Sequence, residues 1–171
     1  MPRWSNMDEK RFWSMIEDAW QGVDGSAVPR KSLAEGHLDE EGAQRLMHQS
    51  WTEGVPALQA ALGRLRKDEL LQFDRILERK LYDIDRPEIQ EHTDGSDDGF
   101  LYCRGFIVAA GQAYYDAVNR HPSRAMMDLE CEDLCYLPVR VYSEKFGEEM
   151  PDSGISRESG SNQAPGSDAD A

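Results

Sequence analysis

Along this chain, apolar side chains recur every three or four residues in several stretches, separated by segments rich in glycine, proline and acids. Phe12, Ile16, Ala19 and Trp20 form the first stripe, with Trp13 and Met15 beside it, which predicts a helix over residues 7–20. Asn6 followed by Glu9 has the form of a capping box at its start. Gln21 to His37 holds three glycines, Pro29 and Arg30-Lys31 without any period, and reads as a loop. Asp39-Glu40-Glu41 then places acids at the positive end of a second helix, whose inner stripe is Ala43, Leu46, Met47, Ser50 and Trp51. Gly54 and Pro56 interrupt it. Proline suits the first turn of a new helix, here a short one carrying Leu58, Ala61, Leu62 and Leu65.

The clearest amphipathic pattern is Leu70, Phe73, Leu77, Leu81 and Ile84, with Asp68 as a cap and Arg75, Glu78, Arg79 and Lys80 as the outward face. Pro87 limits it, and 88–98 is polar and turn-rich. Phe100, Cys103, Phe106, Ile107, Ala110, Tyr114 and Val118 trace one further helix running through Gly105 and Gly111. Each glycine costs about 1 kcal/mol against alanine, so a close helix approach is the expected compensation. His121-Pro122 ends that helix, and Ser123 caps a short one through Met126, Met127 and Leu129. Asp133 to Phe146 is the last, kinked or split at Pro138 and stopped at Gly147. The fold expected is mainly α, a compact bundle of about five to seven helices forming a single domain over 1–150. Residues 151–171 are mostly Ser, Gly, Asp, Asn and Pro with one isoleucine. They read as an acidic disordered tail, dispensable for folding.

Charge narrows the classes of partner. The 171 residues carry a formal net charge of -14, which disfavours phosphate backbones and anionic lipid surfaces. It suits a basic protein partner or a cation, and also serves solubility alone. Three cysteines, Cys103, Cys131 and Cys135, are too few for a disulfide framework. Met1 to Lys10 is polar, and no apolar run approaches the ~20 residues of a membrane span. The expected setting is therefore cytoplasmic, with free thiols.

Candidate chemistry concentrates in Asp94-Gly95-Ser96-Asp97-Asp98-Gly99. Read as a calcium loop, this puts Asp94, Ser96 and Asp98 at the first ligand positions and Gly99 at the turn. The bidentate glutamate required at position twelve is replaced by Gly105. No tight metal site is expected, and Ser96 or Asp97 should instead cap the following helix. His37, His48, His92 and His121 are scattered without zinc spacing, and no P-loop, dinucleotide fingerprint or nucleophile elbow occurs. No cofactor is implied. Asp128, Glu130, Glu132 and Asp133 form an acid-only cluster, either a solvated face or a docking patch for a basic partner.

Phe12-Trp13-x-x-Ile16, Leu70-x-x-Phe73 and Ser96-Asp97-Asp98-Gly99-Phe100 with Arg104 and Gly111 together resemble the DUF4240 domain, a bacterial family of unknown function. The resemblance covers roughly Met7 to Pro151. Cys103 stands where the family carries an aromatic residue before the arginine, and Phe106 where a tryptophan is frequent. The resemblance implies a compact helical domain and no known activity. Its block supplies the candidate residues Asp97, Asp98, Gly99, Phe100 and Arg104. Two functions compete: a non-enzymatic interaction or regulatory domain, immunity-like in form, that binds a basic protein; and an enzyme or metal-dependent protein with a site around Asp97, Asp98 and Arg104. Arg104 falls in an apolar helix and is expected to pair with a carboxylate from another element.

Overall fold

The computed structural model describes residues 6–162. Among them are eight α-helices of eight residues or more and one single turn, with no strand, slightly more helices than expected. They are α1 (Glu9–Gln21), α2 (Ala27–Glu35), α3 (Glu40–Gln49), α4 (Val55–Leu62), α5 (Lys67–Asp83), the turn α6 (Pro87–Gln90), α7 (Asp97–Ala109), α8 (Gln112–Arg120) and α9 (Glu132–Phe146). None is long and apolar enough to cross a membrane.

The stripes read from the sequence form the core, except that Trp51, expected on the inner face of the second helix, is 41% exposed. Phe12, Ile16, Leu46, Leu58, Leu70, Phe73, Leu77, Leu81 and Ile84 are all buried. Buried on every side, α7 is covered from Gly99 to Ala109 except at Tyr102, as a helix without a polar face must be. It packs on α5, α8 and α9. Gly105 permits the closest approach, because a Cβ there would lie 2.5 Å from the Cys131 carbonyl oxygen and 2.7 Å from Cys135 Sγ.

Several local expectations change. Asp8 caps α1, accepting from the Arg11 N–H at 2.8 Å, in place of Asn6. Arg66, not Asp68, is the N-cap of α5, and its N–H donates to the Glu69 side chain at 2.9 Å. The expected loop 21–37 contains α2. Only Leu33 of that helix is buried, so no apolar period marks it. What holds it in place is distant: Arg30 donates to the Ala110 carbonyl at 3.0 Å and pairs with Glu17 at 2.6 Å. The short helix expected after Gly54 is α4, with Pro56 in its first turn, but the break before it is a π-helical segment, Ser50–Gly54, that runs on directly from α3. The single helix expected over 100–118 bends at Gly111, whose φ of 109° excludes other residues without strain. After Pro122–Arg124, a 3-10 turn, no α-helix forms at Met126–Leu129. Pro138 lies inside α9 without splitting it.

The expected tail departs from its boundary. Residues 151–162 lie against the bundle in irregular conformation, and only Arg157 among them is buried. The anchoring contacts are polar, so apolar periodicity could not announce them. The remainder of that tail, 163–171, is outside the described residues.

Candidate functional site

The family-like block opens α7. Ser96 is its N-cap, accepting from the Gly99 N–H at 3.1 Å. Asp94 Oδ1 accepts from the Ser96 N–H at 2.7 Å and from its hydroxyl at 2.8 Å. Those bonds hold the Asp94 carboxyl below its ordinary range. Gly99 leaves room for the arrangement, since a Cβ there would meet the Asp94 carboxylate at 2.4 Å. The side chains of Asp97 and Asp98 are exposed in the first turn, and Phe100 is buried one turn on.

Arg104 is fully buried, and the carboxylate partner expected for it is not there. Its Nη1 donates to the Leu81 carbonyl at 2.9 Å, and its Nη2 to the Arg157 carbonyl and the Ser159 hydroxyl, both at 3.0 Å. The guanidinium carbon lies 4.7 Å from the Phe100 ring centroid. The physical reason is the end of α5. Last-turn carbonyls have no intrahelical partner and carry the negative end of the helix dipole. Arg104 takes Leu81, Tyr115 Oη takes Lys80, and Asn162 Nδ2 takes Tyr82. Burial lowers the Arg104 pKa, opposed mainly by Asp85.

The structure gathers a different set of charges around the C-terminal segment. Arg157 inserts between α5 and α9. Its Nη2 lies 2.6 Å from Asp74 Oδ1 and 3.0 Å from Glu78 Oε1, and its Nη1 donates to the Cys135 carbonyl. Glu78, assigned to the outward face of α5, is therefore buried. Burial works against the Arg157 charge, but Asp74 and then Glu78 outweigh it and raise its pKa. Burial also raises the Asp74 carboxyl despite Arg157. Beyond it, the Asp85 carboxylate accepts from the N–H groups of Gly160 at 3.0 Å, Ser161 at 2.8 Å and Asn162 at 3.1 Å. The Ser159 hydroxyl donates to the Asp97 carbonyl at 2.6 Å. One signal was available: Asp74 and Glu78 are acids one turn apart beside an apolar stripe, and Arg157 is the lone basic residue after Pro151.

The acid cluster read from the sequence forms an edge with the start of α7. Burial, followed by the like charges of Asp94, Asp128 and Glu132, raises the Glu130 carboxyl. Asp128 is the one non-glycine residue with positive φ, 60°, among the described residues, and such backbone is retained where the surroundings enforce it. Trp51, on the π-helical segment, donates from Nε1 to the Glu130 carbonyl at 2.7 Å. Trp51, Met127 and Tyr136 are 41%, 64% and 44% exposed. Among the described residues, no three of His, Cys, Asp and Glu are grouped to hold a metal ion.

A family model described as a protein of unknown function, DUF4240, matches residues 40–144. The match takes in the block from Ser96 to Gly111 and leaves out the Phe12-Trp13 helix and the segment carrying Arg157. No curated protein and no solved structure matches the chain.

Proposed function

The chain belongs to the DUF4240 family, and we propose that it is a non-enzymatic interaction domain that docks a basic protein partner. The observation that carries this is the edge just described. Burial, and after it the like charges of Asp94, Asp128 and Glu132, raise the Glu130 carboxyl, and Trp51, Met127 and Tyr136 are exposed. Aromatic and methionine side chains are enriched at interfaces, and a single-sign rim steers an oppositely charged partner. The net charge of -14 works in the same direction over longer range. Neutralising a basic partner, as immunity proteins do, is one form such docking takes. The three cysteines are unpaired and buried, which suits a reducing compartment such as the cytoplasm.

Capture from native lysate tests the reading, comparing the unaltered chain with an Asp94→Asn, Asp128→Asn, Glu132→Gln variant. Asparagine tolerates the left-handed backbone at position 128, so the fold is kept. A basic protein retained stoichiometrically by the first and lost from the second supports the proposal. Equal retention by both contradicts it.

A further inference from the structure

The segment after α9 is held in a way that any peptide of the right sequence could reproduce. Three features of the bundle read it. Arg104 donates to one of its carbonyls, at Arg157. The Asp85 carboxylate accepts three successive N–H groups, from Gly160 to Asn162. Asp74 and Glu78 form a buried socket for one guanidinium. The first two contacts read backbone, which every peptide carries. The third reads an arginine, whose planar fork fits carboxylates where a lysine does not. Ser159 adds a hydroxyl between Arg104 and the Asp97 carbonyl. Gly160, with φ of 88°, turns the chain so that its N–H and the next two face Asp85.

We propose that this groove between α5, α7 and α9 is a binding site for an arginine-bearing peptide segment of a partner protein. It would recognise Arg-x-Ser-Gly, and here the chain's own residues 157–160 occupy it. Charge complementarity selects the ligand. Asp74 and Glu78 lie together in the interior, and without a guanidinium between them two buried carboxylates face each other uncompensated. The resident segment has one buried side chain and polar anchors. It also leaves the groove incompletely satisfied: among the described residues Glu78 Oε2 and Arg104 Nε have no hydrogen-bond partner. The resident segment lies beyond the family-matched stretch 40–144, whereas Asp74, Glu78, Asp85 and Arg104, which hold it, lie within that stretch. This site uses none of Asp128, Glu130 and Glu132 and stands apart from the docking edge.

The test uses the full chain and a fluorescent peptide of residues 154–162, read by anisotropy. In the unaltered chain the resident segment competes at the high effective concentration of a tethered ligand. Gly160→Ala strains that segment where φ is positive and leaves the socket untouched. The peptide should bind the Gly160→Ala chain about tenfold or more tightly than the unaltered chain, because the resident competitor is weakened. The same peptide with alanine in place of its arginine should not bind. Ser159→Ala, which loosens the segment without backbone strain, should move affinity the same way. A folded Gly160→Ala chain that ignores the peptide, or that binds the arginine-free peptide equally well, overturns the proposal.

Discussion

Removing the guanidinium of Arg157 should destabilise the fold in a way that depends on pH. Arg157 is 8% exposed and Asp74 2%, so the pair is screened little by solvent. Arg157→Ala leaves Asp74 and Glu78 buried together without a counter-charge and the Cys135 carbonyl without its donor. Breaking a buried pair from one side costs about 3–5 kcal/mol. The sign with pH follows from linkage. Burial already raises the Asp74 carboxyl above its unfolded value, so the folded state holds that proton more tightly than the unfolded chain. The contribution of Asp74 to stability is therefore fully present below its unfolded pKa and is lost as pH rises through its folded pKa. Arg157→Ala withdraws the influence that opposes this shift and enlarges it. The penalty should be greatest at neutral pH and shrink on acidification toward about pH 4, the ordinary carboxylate range. Urea unfolding of both chains across that interval measures it. Adding Asp74→Asn and Glu78→Gln to Arg157→Ala should recover part of the loss at neutral pH. A penalty under about 1 kcal/mol, the value of an exposed pair, or one unchanged with pH, refutes the reasoning.

Arg104→Ala should cost about 2–4 kcal/mol, through lost charge-assisted bonds to the Leu81 and Arg157 carbonyls and lost packing on Phe100; urea unfolding checks it. Amide exchange in the same variant should rise at Gly160 to Asn162, since Arg104 holds the segment that carries them. Gly105→Ala should cost about 1–3 kcal/mol by overpacking α7 on α9, measured by thermal unfolding, because the obstacle is the Cys131 backbone. The thiols of Cys103 and Cys135 are pushed up to about 12 and that of Cys131 to about 11, in each case chiefly by burial. A chromogenic disulfide reagent should label none of them at neutral pH until the chain unfolds.

What the sequence disclosed follows the range of the interactions. Leu70, Phe73, Leu77 and Leu81 announce α5 because burial on one helical face repeats locally. Phe100, Phe106 and Ile107 announce α7 by the same spacing although that helix is buried on nearly every side, and of the two caps that the spacing allows, Ser96 and Asp97, the structure uses Ser96. α2 was not legible. One buried leucine gives no period, and its anchor at Ala110 lies 80 residues from Arg30. Glu78 reads as outward-facing in the stripe because the partner that buries it is 79 residues away. Arg104 was recognised as a buried charge needing satisfaction, but its acceptors are backbone carbonyls at the end of α5 and in the C-terminal segment, which no side-chain pattern encodes. The family-like block groups Asp97 and Asp98 with Arg104. The structure puts their carboxylates at the exposed start of α7 and the guanidinium in the interior.

The docking face is tested most directly by placing a photoreactive amino acid at Met127, 64% exposed beside the acidic cluster, and separately at Val28, 75% exposed on α2. Each full-length chain is irradiated in its native lysate and the cross-linked product identified by mass spectrometry. The docking reading predicts one basic protein attached at position 127, absent at position 28, and diminished by added salt as charge screening requires. A partner without net positive charge, equal attachment at both positions, or no product at position 127 would contradict it.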